Sequence, residues 1–191
     1  MNLIKQNDDS SQVAVLMLHG RGSNAEDIIG LSSVFKSLAC YAFTANYNQW
    51  YPKPFNMHKN ENEPFLSESL NQVDEAYNTL KKKHSKVYLL GFSQGACLAL
   101  EYASKKIADG VIAFSGGLIG ADNELNVNIS DTKVFVSCSK NDPFIPLDRA
   151  QKTQELFQTA GNNVTSFFYE GSTHMITSKE IDYAIDFFDI H

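Results

Sequence analysis

Short continuous apolar runs alternate along the chain with stretches whose apolar positions recur every three or four residues, and these two periods predict strands and helices in turn. Val13 to Leu18 is the first run, of the kind expected in a parallel strand covered on both faces, and it ends at His19-Gly20-Arg21-Gly22. A helix is predicted next, because Ser23 with Glu26 reads as a capping box and Ile28, Leu31, Val34, Phe35 and Leu38 repeat at helical spacing. Residues 40–45 return as a short strand. A second helix is spaced out by Leu70, Val73, Tyr77 and Leu80, and it leads into the apolar run Val87-Tyr88-Leu89-Leu90. A helix over 94–105 follows, then strands over 110–114, 133–138 and 164–169. Leu147, Ala150, Thr153, Phe157 and Ala160 mark a helix closed by Gly161, and Thr177 with Glu180 caps a last amphipathic one through Ile181, Ala184, Ile185 and Phe188.

Strands alternating with helices at this cadence predict an α/β fold of about six mainly parallel strands with right-handed crossovers and helices on both faces. A chain of 191 residues suits a single domain spanning all of it, and no repeat or linker breaks the pattern. The pattern lapses only over residues 46–65, which carry Trp50, Tyr51, Phe55 and three prolines. Those aromatics either plug the top of the core or wall an apolar substrate cleft, and the sequence leaves both open.

Composition narrows the function classes. A net charge of −6 supplies no basic stripe for nucleic acid, and Lys81-Lys82-Lys83 reads as the solvated end of a helix. Residues 1–12 are polar where a secretory signal would be apolar, and no run approaches the length of a membrane span, so a cytoplasmic protein without membrane insertion is expected. Three cysteines, Cys40, Cys97 and Cys138, each lie in or beside an apolar run, as reduced buried thiols would. No Cys/His spacing resembles a zinc site, so neither metal nor cofactor is expected.

The chemistry centres on Gly91-Phe92-Ser93-Gln94-Gly95, where an apolar strand meets an Ala/Leu-rich helix. Glycines two residues either side of Ser93 let the strand reverse directly into the helix and push the serine out at the carboxyl edge of the sheet. A serine hydroxyl needs a base to take its proton, and the base needs an acid to hold its tautomer. His174 and Asp142 both follow predicted strands directly and so belong to the same rim, in the order serine, aspartate, histidine. His58, His84 and His191 are more simply solvated, and His19 is expected to brace its own turn. Asp109, Asp122 and Asp131 point away from the rim. Two backbone donors should hold an oxyanion, the N–H of Gln94 at the helix start and that of Arg21 in the Gly20-Arg21-Gly22 turn. The Arg21 side chain is either a contact for a substrate anion or a lid over the loop.

Together, Leu18-His19-Gly20-Arg21-Gly22-Ser23-Asn24, Gln49-Trp50-Tyr51-Pro52, Gly91-Phe92-Ser93-Gln94-Gly95, Asn141-Asp142-Pro143-Phe144-Ile145-Pro146 and Gly171-Ser172-Thr173-His174 resemble the phospholipase/carboxylesterase family of α/β-hydrolases, which includes acyl-protein thioesterases and small bacterial carboxylesterases. The resemblance spans nearly the whole chain. It implies nucleophile, acid and base places for Ser93, Asp142 and His174, oxyanion donors at Arg21 and Gln94, and an acyl pocket touching Trp50, Leu118 and Ile145. The segment before Val13 is shorter than usual in that family, which predicts a trimmed N-terminal sheet edge. No large apolar lid is inserted, so long-chain or interfacial lipids are not the expected substrates.

The reading is a serine hydrolase acting on a small-molecule carboxylic ester or thioester through an acyl-enzyme. One alternative is an enzyme of similar build acting on quinone or dicarbonyl adducts; another is a hydrolase-shaped binding module without catalysis. Acyl length and leaving group are not written in the pattern, which neither requires nor forbids a homodimer.

Overall fold

The computed structural model describes residues 2–7 and 10–190. Its centre is a seven-stranded sheet in the order β1-β3-β2-β4-β5-β6-β7, formed by β1 (Ile4–Gln6), β2 (Val13–Leu18), β3 (Ala39–Ala42), β4 (Lys86–Phe92), β5 (Gly110–Phe114), β6 (Lys133–Ser139) and β7 (Asn163–Tyr169). β1 pairs antiparallel with β3, while every other neighbouring pair is parallel. The strand count therefore exceeds the expected six by β1. The N-terminal edge is short, as expected, but keeps one antiparallel strand, whose three residues lack the apolar run that announces the others.

Among the described residues five α-helices accompany the sheet: α1 (Ala25–Ile28), α2 (Phe65–Lys81), α3 (Gln94–Ala103), α4 (Leu147–Thr159) and α5 (Ser178–Phe188). Side chains alternate across each strand. Leu16, Leu18, Leu89 and Val111 point into one apolar cluster with residues of α2, α3 and α4, and Val15, Met17, Tyr88 and Leu90 into another with residues of α1 and α5. Every residue of α3 is buried. Its Glu101 is met there by the ammonium groups of Lys59 and Lys105, each 2.7 Å from Oε1.

Three local expectations are corrected. The helix predicted to run to Leu38 stops after one turn and continues as a 3₁₀ turn over Ile29–Ser33. The triplet spacing of Ile28, Leu31 and Val34 suits that tighter winding. Asn24, not Ser23, caps α1 by accepting from the Asp27 N–H, while Ser23 donates its hydroxyl to Asp27 Oδ2. His84, expected in solvent, is buried between the Ser11 carbonyl and the Tyr41 hydroxyl. His191 lies outside the described residues.

Register decides where the chemistry can sit. Leu18 aligns with Gly91, Phe92 with Phe114, and Ser139 with Tyr169, so the carboxyl ends of β2, β4, β5, β6 and β7 form one rim. Open α/β sheets bind their ligands over that edge.

Candidate active site

The turn from β4 to α3 is fixed by close approach. A Cβ on Gly91 would stand 2.4 Å from the Ala96 nitrogen, and one on Gly95 would stand 2.1 Å from the Leu18 carbonyl oxygen. Between them Ser93 adopts φ 54°, ψ −118°, a backbone region sparsely used by residues with a side chain. Its N–H donates to the Phe114 carbonyl and its own carbonyl accepts from Cys97 N–H, each at 3.0 Å, which anchors the strained residue from two sides.

His174 follows β7 and Asp142 follows β6. His174 Nε2 lies 2.9 Å from Ser93 Oγ, and His174 Nδ1 lies 2.9 and 2.8 Å from the two carboxylate oxygens of Asp142. With the proton on Nδ1, Nε2 is an acceptor aimed at the serine hydroxyl. Asp142 Oδ1 also accepts from the N–H groups of Phe144 and Ile145. Burial pushes the Asp142 carboxyl up, but the hydrogen bonds from His174, Phe144 and Ile145 outweigh it and hold the acid below its ordinary range. The loop that carries His174 is pinned by Ser139 Oγ, which donates to the Thr173 carbonyl at 2.7 Å.

Two phenyl rings flank the imidazole, Phe92 at 5.0 Å and Phe144 at 4.8 Å between centroids. Both stand inside the quoted motifs, where residue type alone carries no signal of this role. His19 does brace its own turn: Nδ1 lies 2.7 Å from the Gly20 carbonyl and Nε2 accepts from Ala45 N–H.

Gln94 opens α3, where the first N–H groups have no partner within the helix. The main-chain N–H groups of Arg21 and Gln94 donate to no acceptor among the described residues. The Arg21 guanidinium is spent on the 49–53 loop, donating to Gln49 Oε1 and to the carbonyls of Tyr51, Pro52 and Lys53. Of the two roles open to that side chain, the structure gives the latch over the loop.

A cavity of about 490 Å³ opens beside Ser93 and His174, and Tyr51, Phe55 and Ile145 line it with Cys97, Phe144 and Pro146. Trp50 and Leu118, expected in the same wall, do not line it. Trp50 is enclosed against Phe43 and His19, with its indole N–H on the His19 carbonyl, and Leu118 is buried with its N–H on Thr153 Oγ1. Their apolar character serves the layer behind the wall. Burial pushes the Cys97 thiol up to about 11 and those of Cys40 and Cys138 up to about 12, and none of the three is bridged. Among the described residues no group of three or more His, Cys, Asp or Glu is gathered as for a metal ion, and no helix is long and apolar enough to cross a membrane.

Comparison with known proteins shows the family and the fold. Residues 1–191 match the family profile described as Phospholipase/Carboxylesterase. A solved phospholipase/carboxylesterase from Dyadobacter fermentans is 34% identical, with 96% of this chain and 94% of that chain covered and a TM-score of 0.86. The Bacillus cereus carboxylesterase (20% identity, 99% and 93% covered, TM-score 0.83) and Arabidopsis thaliana SOBER1 (17% identity, 93% and 98% covered, TM-score 0.74) share the fold. A search of the curated proteins found no match.

Proposed function

The chain belongs to the phospholipase/carboxylesterase family of α/β-hydrolases, a family of ester-bond hydrolases, and on that premise we propose that it cleaves small carboxylic esters or thioesters through an acyl-enzyme on Ser93. Ser93 attacks the carbonyl carbon as His174 takes its proton, and Asp142 holds the imidazole tautomer and stabilises the imidazolium. The main-chain N–H groups of Arg21 and Gln94 receive the oxyanion of the tetrahedral intermediate. His174 then protonates the leaving alcohol or thiol, and a water that it activates hydrolyses the acyl-serine.

The single observation that carries this reading is the relay of 2.9 Å from Ser93 Oγ to His174 Nε2, continued at 2.8 Å from Nδ1 to Asp142. A conformationally strained serine held at that distance from an oriented imidazole is an arrangement a fold must sustain at a cost. The acyl portion lies against Tyr51, Phe55 and Ile145. Among the described residues no ionised side chain other than those of the relay is free to face it there, since the guanidinium of Arg21 is engaged on the loop. An uncharged acyl group follows. No metal or cofactor takes part in the proposed steps, and three buried unbridged thiols suit a cytoplasmic location.

Purified protein assayed on acyl esters and acyl thioesters of graded length, beside hemithioacetals, tests the reading. Hydrolysis of esters or thioesters that is lost in Ser93→Ala, with folding retained, is the expected result. Activity on hemithioacetals alone, or full ester hydrolysis by Ser93→Ala, would overturn it.

A further inference from the structure

We infer that the side chains of Arg21 and Gln94 are positioning residues that fasten both oxyanion-binding amides to one atom, the carbonyl oxygen of Tyr51. The inference rests on the reading of Ser93 and its oxyanion donors given above. It goes beyond that reading by giving the two side chains, and the loop they hold, a part in the reaction rate.

Tyr51 O accepts from Arg21 Nη2 at 2.8 Å and from Gln94 Nε2 at 2.7 Å. A carbonyl oxygen has two lone pairs, and one donor from each residue occupies them. Both terminal nitrogens of Arg21 and the side-chain oxygen of Gln94 grip the same loop. Arg21 reaches Gln49 Oε1 at 2.9 Å and the carbonyls of Pro52 and Lys53 at 3.0 Å, while Gln94 Oε1 accepts from Trp50 N–H at 3.0 Å. Two further bonds tie the loop region to the turn that bears Arg21, Trp50 Nε1 to the His19 carbonyl at 2.8 Å and Gly22 N–H to the Asn48 carbonyl at 2.7 Å.

The chemistry of each side chain fits this task and few others would. Gln94 is buried and must both donate and accept, so a carboxylate there would face the Tyr51 carbonyl with an acceptor. Arg21 spreads its planar fork over several acceptors, which an ammonium cannot match. The need for a brace is local. Arg21 lies between two glycines, with Gly22 at φ +79°, in a turn that is soft on its own. Gln94 stands on the separate, rigid start of α3. An oxyanion hole is effective only when its donors are aimed before charge develops, and a ~1 Å misplacement can cost about a hundredfold in rate. Because Tyr51 also lines the cavity, an acyl group seated against it bears on the residue that both donors hold.

The test uses the full chain with Gln94→Glu, Arg21→Lys and the double variant. Labelling of wild-type Ser93 by a fluorophosphonate, lost in Ser93→Ala, first establishes the site; failure there removes the functional reading itself and this inference with it. On the established site, each variant is titrated with the same probe, and kcat per titrated site, KM for a p-nitrophenyl ester and the affinity of a boronic acid that forms a tetrahedral adduct on serine are measured. The expected result is a fall in kcat of about tenfold or more with KM within about twofold, and boronate affinity weakened in step with kcat/KM. The double variant loses less than the product of the single losses, because both act on one carbonyl. Values of kcat per site and boronate affinity that stay within about twofold of wild type, whatever the melting temperature does, would overturn the inference. Arg21→Lys, at an exposed side chain, carries the same test where Gln94→Glu fails to fold.

Discussion

Asp142 meets His174 Nδ1 with both carboxylate oxygens, at 2.9 and 2.8 Å, while its side chain is wholly shielded from solvent. An acid so placed fixes which imidazole nitrogen carries the proton. Asp142→Asn is expected to keep the fold and lower kcat by about 10²- to 10⁴-fold, as loss of tautomer control does elsewhere. The same contact has a signature in stability. The Asp142 carboxyl is held below its ordinary value of 3.8, so its stabilising contribution is complete above that value and is lost as pH falls through the lower folded one. The difference in unfolding free energy between wild type and Asp142→Asn, measured by urea denaturation, should therefore shrink as pH falls below the ordinary value of 3.8.

Phe144 is two-thirds exposed yet stands edge-on to the imidazole of His174. Phe144→Ala is expected to lower kcat/KM by about two- to tenfold, the equivalent of a ~0.5–1.5 kcal/mol aromatic contact. Steady-state kinetics on a small ester would show it, and Phe144→Leu should recover part of the loss.

The β4–α3 turn tolerates no methyl group at Gly95, where a Cβ would lie 2.1 Å from the Leu18 carbonyl oxygen and 2.6 Å from that of His19. Those neighbours are backbone and cannot swing aside. Gly95→Ala is expected to cost at least about 2 kcal/mol of stability, read as a lower urea midpoint, and to reduce activity in the protein that still folds.

The three thiols are buried and shifted upward, Cys97 to about 11 and Cys40 and Cys138 to about 12. At pH 8 the thiolate fraction of each is at most about one in a thousand. A thiol reagent should therefore count none in the native protein and all three after unfolding, with Cys97 unreactive despite lining the cavity.

Much of this site was legible in sequence for a definite reason. Buried parallel strands need continuous apolar runs, so β2, β5, β6 and β7 declare their ends within a residue or two, and the residues following those ends are the rim. That is why Asp142 and His174 could be named beside Ser93. The close-approach glycines at 91 and 95 were readable because sterics at a strand–helix reversal leave no alternative. What pattern did not convey was which apolar side chain faces a cavity and which faces the layer behind it. Trp50 and Tyr51 are adjacent and both almost fully buried, yet only Tyr51 lines the cavity. Nor could β1 be seen, since a three-residue edge strand draws its pairing from β3 and not from its own periodicity. The grip of Gln94 and Arg21 on Tyr51 uses a main-chain carbonyl, which has no signature in residue type.

The most direct measurement is to treat the folded protein with a fluorophosphonate and map the adduct by mass spectrometry. One phosphonylated residue is expected, Ser93, with labelling abolished in Ser93→Ala and slowed by orders of magnitude in His174→Ala. An adduct on another residue, or labelling of Ser93 at an undiminished rate without His174, would contradict it.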